Sequence, residues 1–422
     1  VNRLSLPIIS LISLFIAILV SCFSRINIGF LSIAFAFAIG VLLGGMKVQE
    51  VMAGFPTGLF LTLVGVTLLF SQARVNGTLD KLAKLSVKLA HGKVGAIPII
   101  FFFLALAMAS IGPGNIAATA LLAPVAMAIA SKVGVTAFLM AIMVCNGANA
   151  GALSPFAPTG IIANGLMAKA GLTGVEWQNY FNMAITHSLV AFLGYFSLGG
   201  FKLVTSKTDA RAGLDELTGE KIEPLTARQK LTLGVIAALV IGVVALKVDI
   251  TFGAFVAAVI LSMFGAADEQ AAVSAIPWNT ILTVCGVTVL IALMEKTGGM
   301  ELFTNLLAKF SSRTTVTGTV AFVTGVISVY SSSSGVVLPA FLPTVPGLIE
   351  RLGGGDPMAI ASSINVGSHL VDVSPLSTLG ALCIAGAAPG EDRTKLFNRL
   401  LAWGLSMSVI GAVICFILFG LL

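Results

Sequence analysis

Long apolar blocks alternate with short polar breaks along this chain. The first three blocks, residues 5–23, 27–45 and 56–74, are each long enough to predict a membrane-crossing helix. From Leu79 to Lys93, Lys81, Lys84 and Lys88 stand between apolar positions, which predicts an interfacial amphipathic helix. Residues 94–131 are apolar apart from Gly112-Pro113-Gly114-Asn115 in their middle. Two readings of this block stand: two separate spans, or one re-entrant hairpin with its polar tip at mid-membrane. Non-helical backbone at that depth is tolerated only against protein or a water-filled cavity. Residues 134–170 are interrupted by the Gly-rich stretch Asn146–Pro155 and predict a broken helix, and residues 181–203 predict a last span.

The order then returns. Spans are expected at 230–247, 249–266 and 278–295, and an amphipathic piece at 299–311. A second interrupted block follows at 314–350 with Ser331-Ser332-Ser333-Ser334-Gly335 in its middle, then a second broken helix at 356–388 and a span at 396–421. Residues match individually. Phe55-Pro56 and Leu61–Leu69 align with Ile276-Pro277 and Leu282–Leu290 at an offset of 221, and Gly77 meets Gly298. Pro124 pairs with Pro343, and Gly147, Ser154, Pro155 and Gly160 pair with Gly367, Ser374, Pro375 and Gly380. Ile26-Asn27-Ile28-Gly29 pairs with Ile250-Thr251-Phe252-Gly253. An ordered series of matches is the mark of a duplication. It divides the chain into repeat one (1–204), a mixed-charge solvated linker (205–229, cytoplasmic) and repeat two (230–422).

The hairpin reading gives five spans per repeat, and an odd number forces the second repeat to be inverted. With both termini outside, sixteen of the 24 Lys and Arg residues fall on the inner face, Arg74, Lys81, Lys132, Lys202 and Arg399 among them. Eight fall outside, including Lys47, Lys169, Lys296 and Arg351, in accord with the positive-inside rule. Two parallel repeats of six spans remain the alternative. The expected fold class is therefore an all-α polytopic membrane protein of two inverted-topology repeats. Each has five spanning helices, one of them broken, plus one re-entrant helical hairpin.

Composition agrees and narrows the chemistry. The chain is 57% hydrophobic and 10% charged, with a mean hydropathy of +1.04, far more apolar than a soluble domain requires. Barrel strands would alternate every second residue, and these blocks do not. The five cysteines lie in apolar stretches without CxxC spacing and read as small core residues. The net charge of +6 contains no basic run, so it indicates membrane orientation and no nucleic acid partner. The first apolar block lacks an A-x-A-like site and reads as a retained helix.

Paired, Gly/Pro-interrupted apolar segments in corresponding halves point to a transporter's binding site. Half-helix N-termini favour an anion, and unwound carbonyls coordinate a cation. The polar inventory at the breaks is small and neutral: Asn115, Asn146, Asn149, Ser154 and Thr159, then Ser331–Ser334, Asn365, Ser368, Ser374, Ser377 and Thr378. Asp372 is an acid inside an apolar run, three residues after His369. It can ligate sodium, carry a proton, or serve as a structural partner for a helix end or for His369. The halves differ here, since Ala152 aligns with Asp372 and Asn149 with His369. An intramembrane hydrolase built on Ser331–Ser334, His369 and Asp372 would lack a G-x-S-x-G context and would leave the duplication unexplained. The chain is expected to be a transporter, not an enzyme.

The stretch Ile26–Gly45, Val48–Pro56 and Leu61–Leu69 resembles the N-terminal region of the MatC-type malonate/dicarboxylate carriers of the ion transporter superfamily. The paired hairpins and broken helices are similar to the divalent anion–sodium symporters and, more distantly, to the membrane subunits of TRAP transporters. Those symporters carry Ser-Asn-Thr at each hairpin tip. Here Gly114-Asn115-Ile116 keeps the Asn and Ser333-Ser334-Gly335 keeps the first Ser, while Ala157-Pro158-Thr159 stands where they carry Thr-Pro-Pro. The resemblance implies an elevator mechanism in a homodimer of the inner membrane. Scaffold regions would be 1–92 and 230–312, transport regions 93–170 and 313–388, and last helices 181–204 and 396–422.

It further implies sodium-coupled symport of a small organic anion, a dicarboxylate, the alternative being a proton-coupled carrier or exchanger of another anion through Asp372. The expected substrate residues are Gly114, Asn115, Pro158, Thr159, Ser333, Ser334, Ser377 and Thr378. The expected sodium ligands are Gly112, Asn115, Asn149, Gly151 and Ser154 in one set, and Ser331, Ser334, Gly367, Asp372 and Ser374 in the other. Na+ is the coupling ion, and no covalent cofactor is expected.

Overall fold

The computed structural model describes residues 5–23, 26–87, 94–205 and 224–421. The expected linker falls largely on 206–223, and the end of the first amphipathic piece on 88–93; both lie outside the described residues. Helix makes up 82% of the structure, with no strand among the described residues. Eight helices are long and apolar enough to cross a membrane, so the chain is a multi-pass membrane protein.

In the first half, α1 (Ser5–Phe23), α2 (Ile28–Phe37), the short α3 (Val48–Met52), α4 (Thr57–Val75) and the amphipathic α5 (Thr78–Val87) come first. Then α6 (Ala96–Ile111) and α7 (Gly114–Val133) pack on each other across the Gly112-Pro113 turn. α8 (Ala137–Ala152) and α9 (Pro158–Lys169) are the two parts of the broken helix, and α10 (Glu176–Tyr195) closes the half. The second half answers in the same order. It has α11 (Ala227–Leu246), α12 (Ile250–Met263), the short α13 (Glu269–Ser274), α14 (Trp278–Thr297) and α15 (Gly299–Lys309). After them come α16 (Val316–Ser328), α17 (Leu338–Phe341), α18 (Val345–Leu352), α19 (Pro357–Leu370), α20 (Thr378–Ala385) and α21 (Arg393–Cys415).

Local chemistry sets these limits. Thr136, Asp249 and Asp392 accept backbone N–H groups at the starts of α8, α12 and α21, satisfying donors that a helix start leaves open. Gly134 and Gly353 end α7 and α18 in the left-handed conformation. Two helices begin earlier than their apolar blocks. α21 starts at its Asp392 cap, and the polar first turn of α10 is anchored by Asn179 Nδ2 donating to Asn164 Oδ1 at 2.9 Å. The arm after the serine run is not one regular helix. A π turn over Ser333–Val337 leads into α17, a 3₁₀ turn over Leu342–Thr344 and α18, because Pro339, Pro343 and Pro346 each remove a backbone donor.

Packing between the halves is reciprocal. α2 lies on α14, and α4 lies on α12, the match of α2. The second hairpin arm α7 lies on α20, and α17 of the other hairpin lies on α9, the match of α20. Within each half the broken helix crosses the first hairpin arm, α8 on α6 and α19 on α16. The paired glycines make that crossing possible. A Cβ on Gly147 would collide with the Phe102 backbone of α6, and one on Gly367 with the Ala321 backbone of α16. Gly160 and Gly380 likewise seat the second half-helix against the carbonyls of Ser154 and Ser374 at each break.

Candidate functional site

Both polar tips and both breaks converge on the same region. At the first tip, Gly112 (φ +143°) and Gly114 (φ +81°) turn the chain in a conformation that favours glycine. A Cβ on Gly112 would also strike the Phe70 ring of α4, and one on Gly114 would press on Pro158 of α9. Asn115 then opens α7: its Oδ1 accepts from Ile116 N at 3.0 Å, and its Nδ2 donates to Asn149 Oδ1 at 2.8 Å. Asn149 Nδ2 donates in turn to the His369 carbonyl at 2.9 Å. Asn149 and His369 occupy matched positions of the two halves, so the halves touch here at equivalent residues.

The second tip is built on hydroxyls. Ser332 Oγ accepts from Gly335 N at 3.0 Å. Ser333 Oγ lies 2.9 Å from Asp372 Oδ1, 3.0 Å from the Ser368 carbonyl and 2.5 Å from Ser328 Oγ. Ser377 Oγ donates to the same Asp372 oxygen at 3.2 Å. Ser333 therefore has one hydroxyl hydrogen for two acceptors. Oxygen lone pairs outnumber hydrogens around Asp372, which is 5% exposed.

Two cavities flank the tips. The larger, about 470 Å³, is lined by Asn115, Ser331, Ser332, Ser333, Ser334, His369, Asp372, Ser377 and Thr378, and by Asn27, Asn279, Thr283 and Tyr330. Among its described lining residues Asp372 is the one carboxylate, and there is no Lys or Arg. The smaller, about 160 Å³, is lined by Gly112, Gly114, Asn115, Ser334, Pro158 and Thr159, with Ser71 and Arg74 of α4. Asn115, Ile116 and Ser334 line both.

All the expected substrate residues thus line one cavity or the other. The expected sodium ligands divide. Gly112, Asn115, Ser331, Ser334 and Asp372 reach a cavity, whereas Asn149, Gly151, Ser154, Gly367 and Ser374 line neither. Asn149 stands just behind Asn115. Ser154 Oγ donates to the Ser110 carbonyl at 2.6 Å, and Ser374 Oγ accepts from Leu376 N at 3.3 Å, so both fasten their breaks. Gly151 packs against Leu106 and Ser110, and Gly367 against Ala321. Asn146 and Asn365 face α10, pairing with His187 and Asn179 at 2.9 and 2.8 Å.

Sequence reasoning missed the wall that α2 and α14 supply. Asn27 Nδ2 donates to Asn279 Oδ1 at 2.7 Å and to its carbonyl at 3.0 Å, and Thr283 Oγ1 donates to Asn27 Oδ1 at 3.2 Å. The signal was in the repeat itself, where Asn27 and Asn279 stand against Thr251 and Gly58. At the matched crossing, Thr62 and Thr251 hydroxyls meet at 2.6 Å, and neither residue lines these cavities.

Residues 4–152 match the dicarboxylate carrier protein MatC N-terminus family, and residues 236–422 match the citrate transporter family. Among curated proteins, the uncharacterized transporters Rv2685 and Rv2684 of Mycobacterium tuberculosis are 24% and 23% identical. The matches cover 79% and 77% of both this chain and the relative. Among solved structures, MtrF of Neisseria gonorrhoeae, described within a class of antimetabolite efflux pumps, superposes with a TM-score of 0.60 at 15% identity. That match covers 100% of this chain and 96% of MtrF. The YdaH transporter of Alcanivorax borkumensis gives 0.56 at 16% identity, covering 89% and 87%. These two show a shared fold. The two family matches, in order along the chain, are to carriers of the kind grouped in the ion transporter superfamily, and the family and relative names indicate a transporter, not an enzyme.

Proposed function

We propose that this transporter carries a small organic anion, a dicarboxylate, by sodium-coupled symport. One observation carries the coupling: Asp372 lines the larger cavity, where no described Lys or Arg offsets it. Two unit charges of one sign 4 Å apart repel by about 4 kcal/mol at an effective dielectric of 20. An anion entering this cavity therefore needs a cation beside Asp372. The oxygen-rich cluster of Asp372, Ser333 Oγ and the Ser368 carbonyl suits sodium, which takes hydroxyl, carbonyl and carboxylate oxygens. The family descriptions, a dicarboxylate carrier and a citrate transporter, favour a carboxylate cargo.

On this reading the two repeats are inverted in an inner membrane, with both termini outside. The reciprocal packing and the Asn149–His369 contact support it. The hairpins and broken helices would move as a transport domain against a dimeric scaffold. Sodium would sit at two places, one near Gly112, Asn115, Asn149, Gly151 and Ser154, the other near Ser331, Ser334, Gly367, Asp372 and Ser374.

Uptake of labelled malonate, succinate and citrate into proteoliposomes, with and without an inward sodium gradient at fixed pH, tests this. Sodium-dependent uptake is expected. Uptake that ignores sodium and follows a pH gradient would move the coupling to a proton on Asp372, the reading favoured next because that carboxylate is buried beside the cargo site. Absence of carboxylate uptake under every gradient would refute both.

A further inference from the structure

The smaller cavity has the opposite character to the larger. Arg74, in the last turn of α4, lines it, and no acidic side chain does. Arg74 makes no ion pair among the described residues. Five hydroxyl residues also line it, and two of them, Ser71 at 7% exposure and Thr159 at 6%, stand out. Neither has a hydrogen-bond partner among the described residues, although buried polar groups normally do. Two helices begin at the same wall, α7 at Gly114 with 20 residues and α9 at Pro158 with 12, each presenting the positive end of its dipole. A guanidinium, two open hydroxyls and two helix N-termini around 160 Å³ make a donor-rich space with no charge of its own to answer Arg74. A carboxylate supplies the missing acceptors, and guanidinium binds it by paired hydrogen bonds.

We propose that this cavity is an anion pocket that takes one carboxylate of the transported substrate, with Arg74 as its countercharge. The inference rests on the carboxylate cargo proposed above. Asn115 and Ser334 are the wall common to both cavities, so a molecule with two carboxylates sets one on each side of it. The first lies against Arg74, and the second lies with the cation at Asp372. Arg74 thereby sets the preference for dicarboxylates over monocarboxylates.

The purified transporter is titrated in sodium with malonate, succinate, citrate and butyrate. The tightest-binding polycarboxylate is then compared with butyrate in Arg74→Gln, Arg74→Lys, Ser71→Ala and Asn115→Ala, each checked for unchanged melting. Arg74→Gln is expected to weaken the polycarboxylate about tenfold or more, the loss of a charge-assisted hydrogen bond, and to leave butyrate within about twofold. Arg74→Lys keeps part of the affinity, and Ser71→Ala loses a few-fold, which keeps the test open if Arg74→Gln does not fold. Equal affinities in wild type, Arg74→Gln and Ser71→Ala, with Asn115→Ala still impaired, would overturn the pocket and leave the cargo reading intact. The same holds for an Arg74→Gln effect on melting alone, which would mark a membrane-surface anchor. If wild type binds none of the carboxylates, the cargo reading fails and the pocket with it.

Discussion

The two cavities share a wall, yet they differ in sign. The larger is walled by serines, Thr378, His369 and the carboxylate of Asp372. The smaller is walled by glycines, Ile116, Pro158 and the guanidinium of Arg74. Each half presents the same backbone device, a tight tip facing a broken helix. One side carries a carboxylate, Asp372, and the other a guanidinium, Arg74. On the proposed reading, cation and anion would be held apart across Asn115 and Ser334, the wall common to both cavities.

That division can be broken from either side. The largest effect is expected at Asp372→Ala. Loss of charge-assisted hydrogen bonds, about 1.5–3 kcal/mol, should lower sodium-driven uptake roughly ten- to a hundredfold. Sodium stimulation should disappear, while anion binding without sodium should strengthen because a like charge has gone. Weaker binding in that condition would contradict the proposed roles. Ser333→Ala removes one partner of that carboxylate and should raise the half-saturating sodium concentration about fivefold, with the anion KM nearly constant. Asn115→Ala cuts the 2.8 Å link to Asn149, worth about 1 kcal/mol, and should raise the anion KM roughly fivefold, with a smaller rise in the half-saturating sodium concentration than Ser333→Ala gives. The smallest effect is expected at Asn27→Ala. It opens the Asn27–Asn279 clasp at the cavity wall and should change the uptake rate about twofold without moving the anion KM. Identical kinetic signatures for Ser333→Ala and Asn115→Ala would erase the distinction between the two sides.

Much of this was legible from residue order. Apolar blocks gave the helices, and the paired Gly, Ser and Pro positions gave the breaks, because a close helix crossing admits only Gly at 147 and 367. The tips were legible because polar residues rarely interrupt membrane helices without cause. Arg74 was counted as an inner-face charge, since a cation at the end of an apolar block looks like any other. Only the fold of the first tip against α4, with the Phe70 ring over Gly112, brings it to the site. Gly151, Ser154, Gly367 and Ser374 line neither of the two cavities, and their place was not legible for a related reason. A residue at a break is as often needed to fasten the break as to face what the break exposes, and sequence alone does not tell the two apart.

The exchange of partners between the halves has a consequence for how the protein is made. A ribosome delivers the first half before α12, α14 and α20 exist. During that interval α2, α4 and α7 lack α14, α12 and α20, although α7 already has α6 and α8 beside it, and Asn149 lacks the carbonyl it will bond. The early half alone cannot make these contacts. Its α6, α7, α8 and α10 can pack on one another at once, but α2 and α4 gain α14 and α12 only when the late half is threaded in. Substitutions in α12 or α14 should therefore shorten the lifetime of newly made chains even where they leave the cargo site untouched.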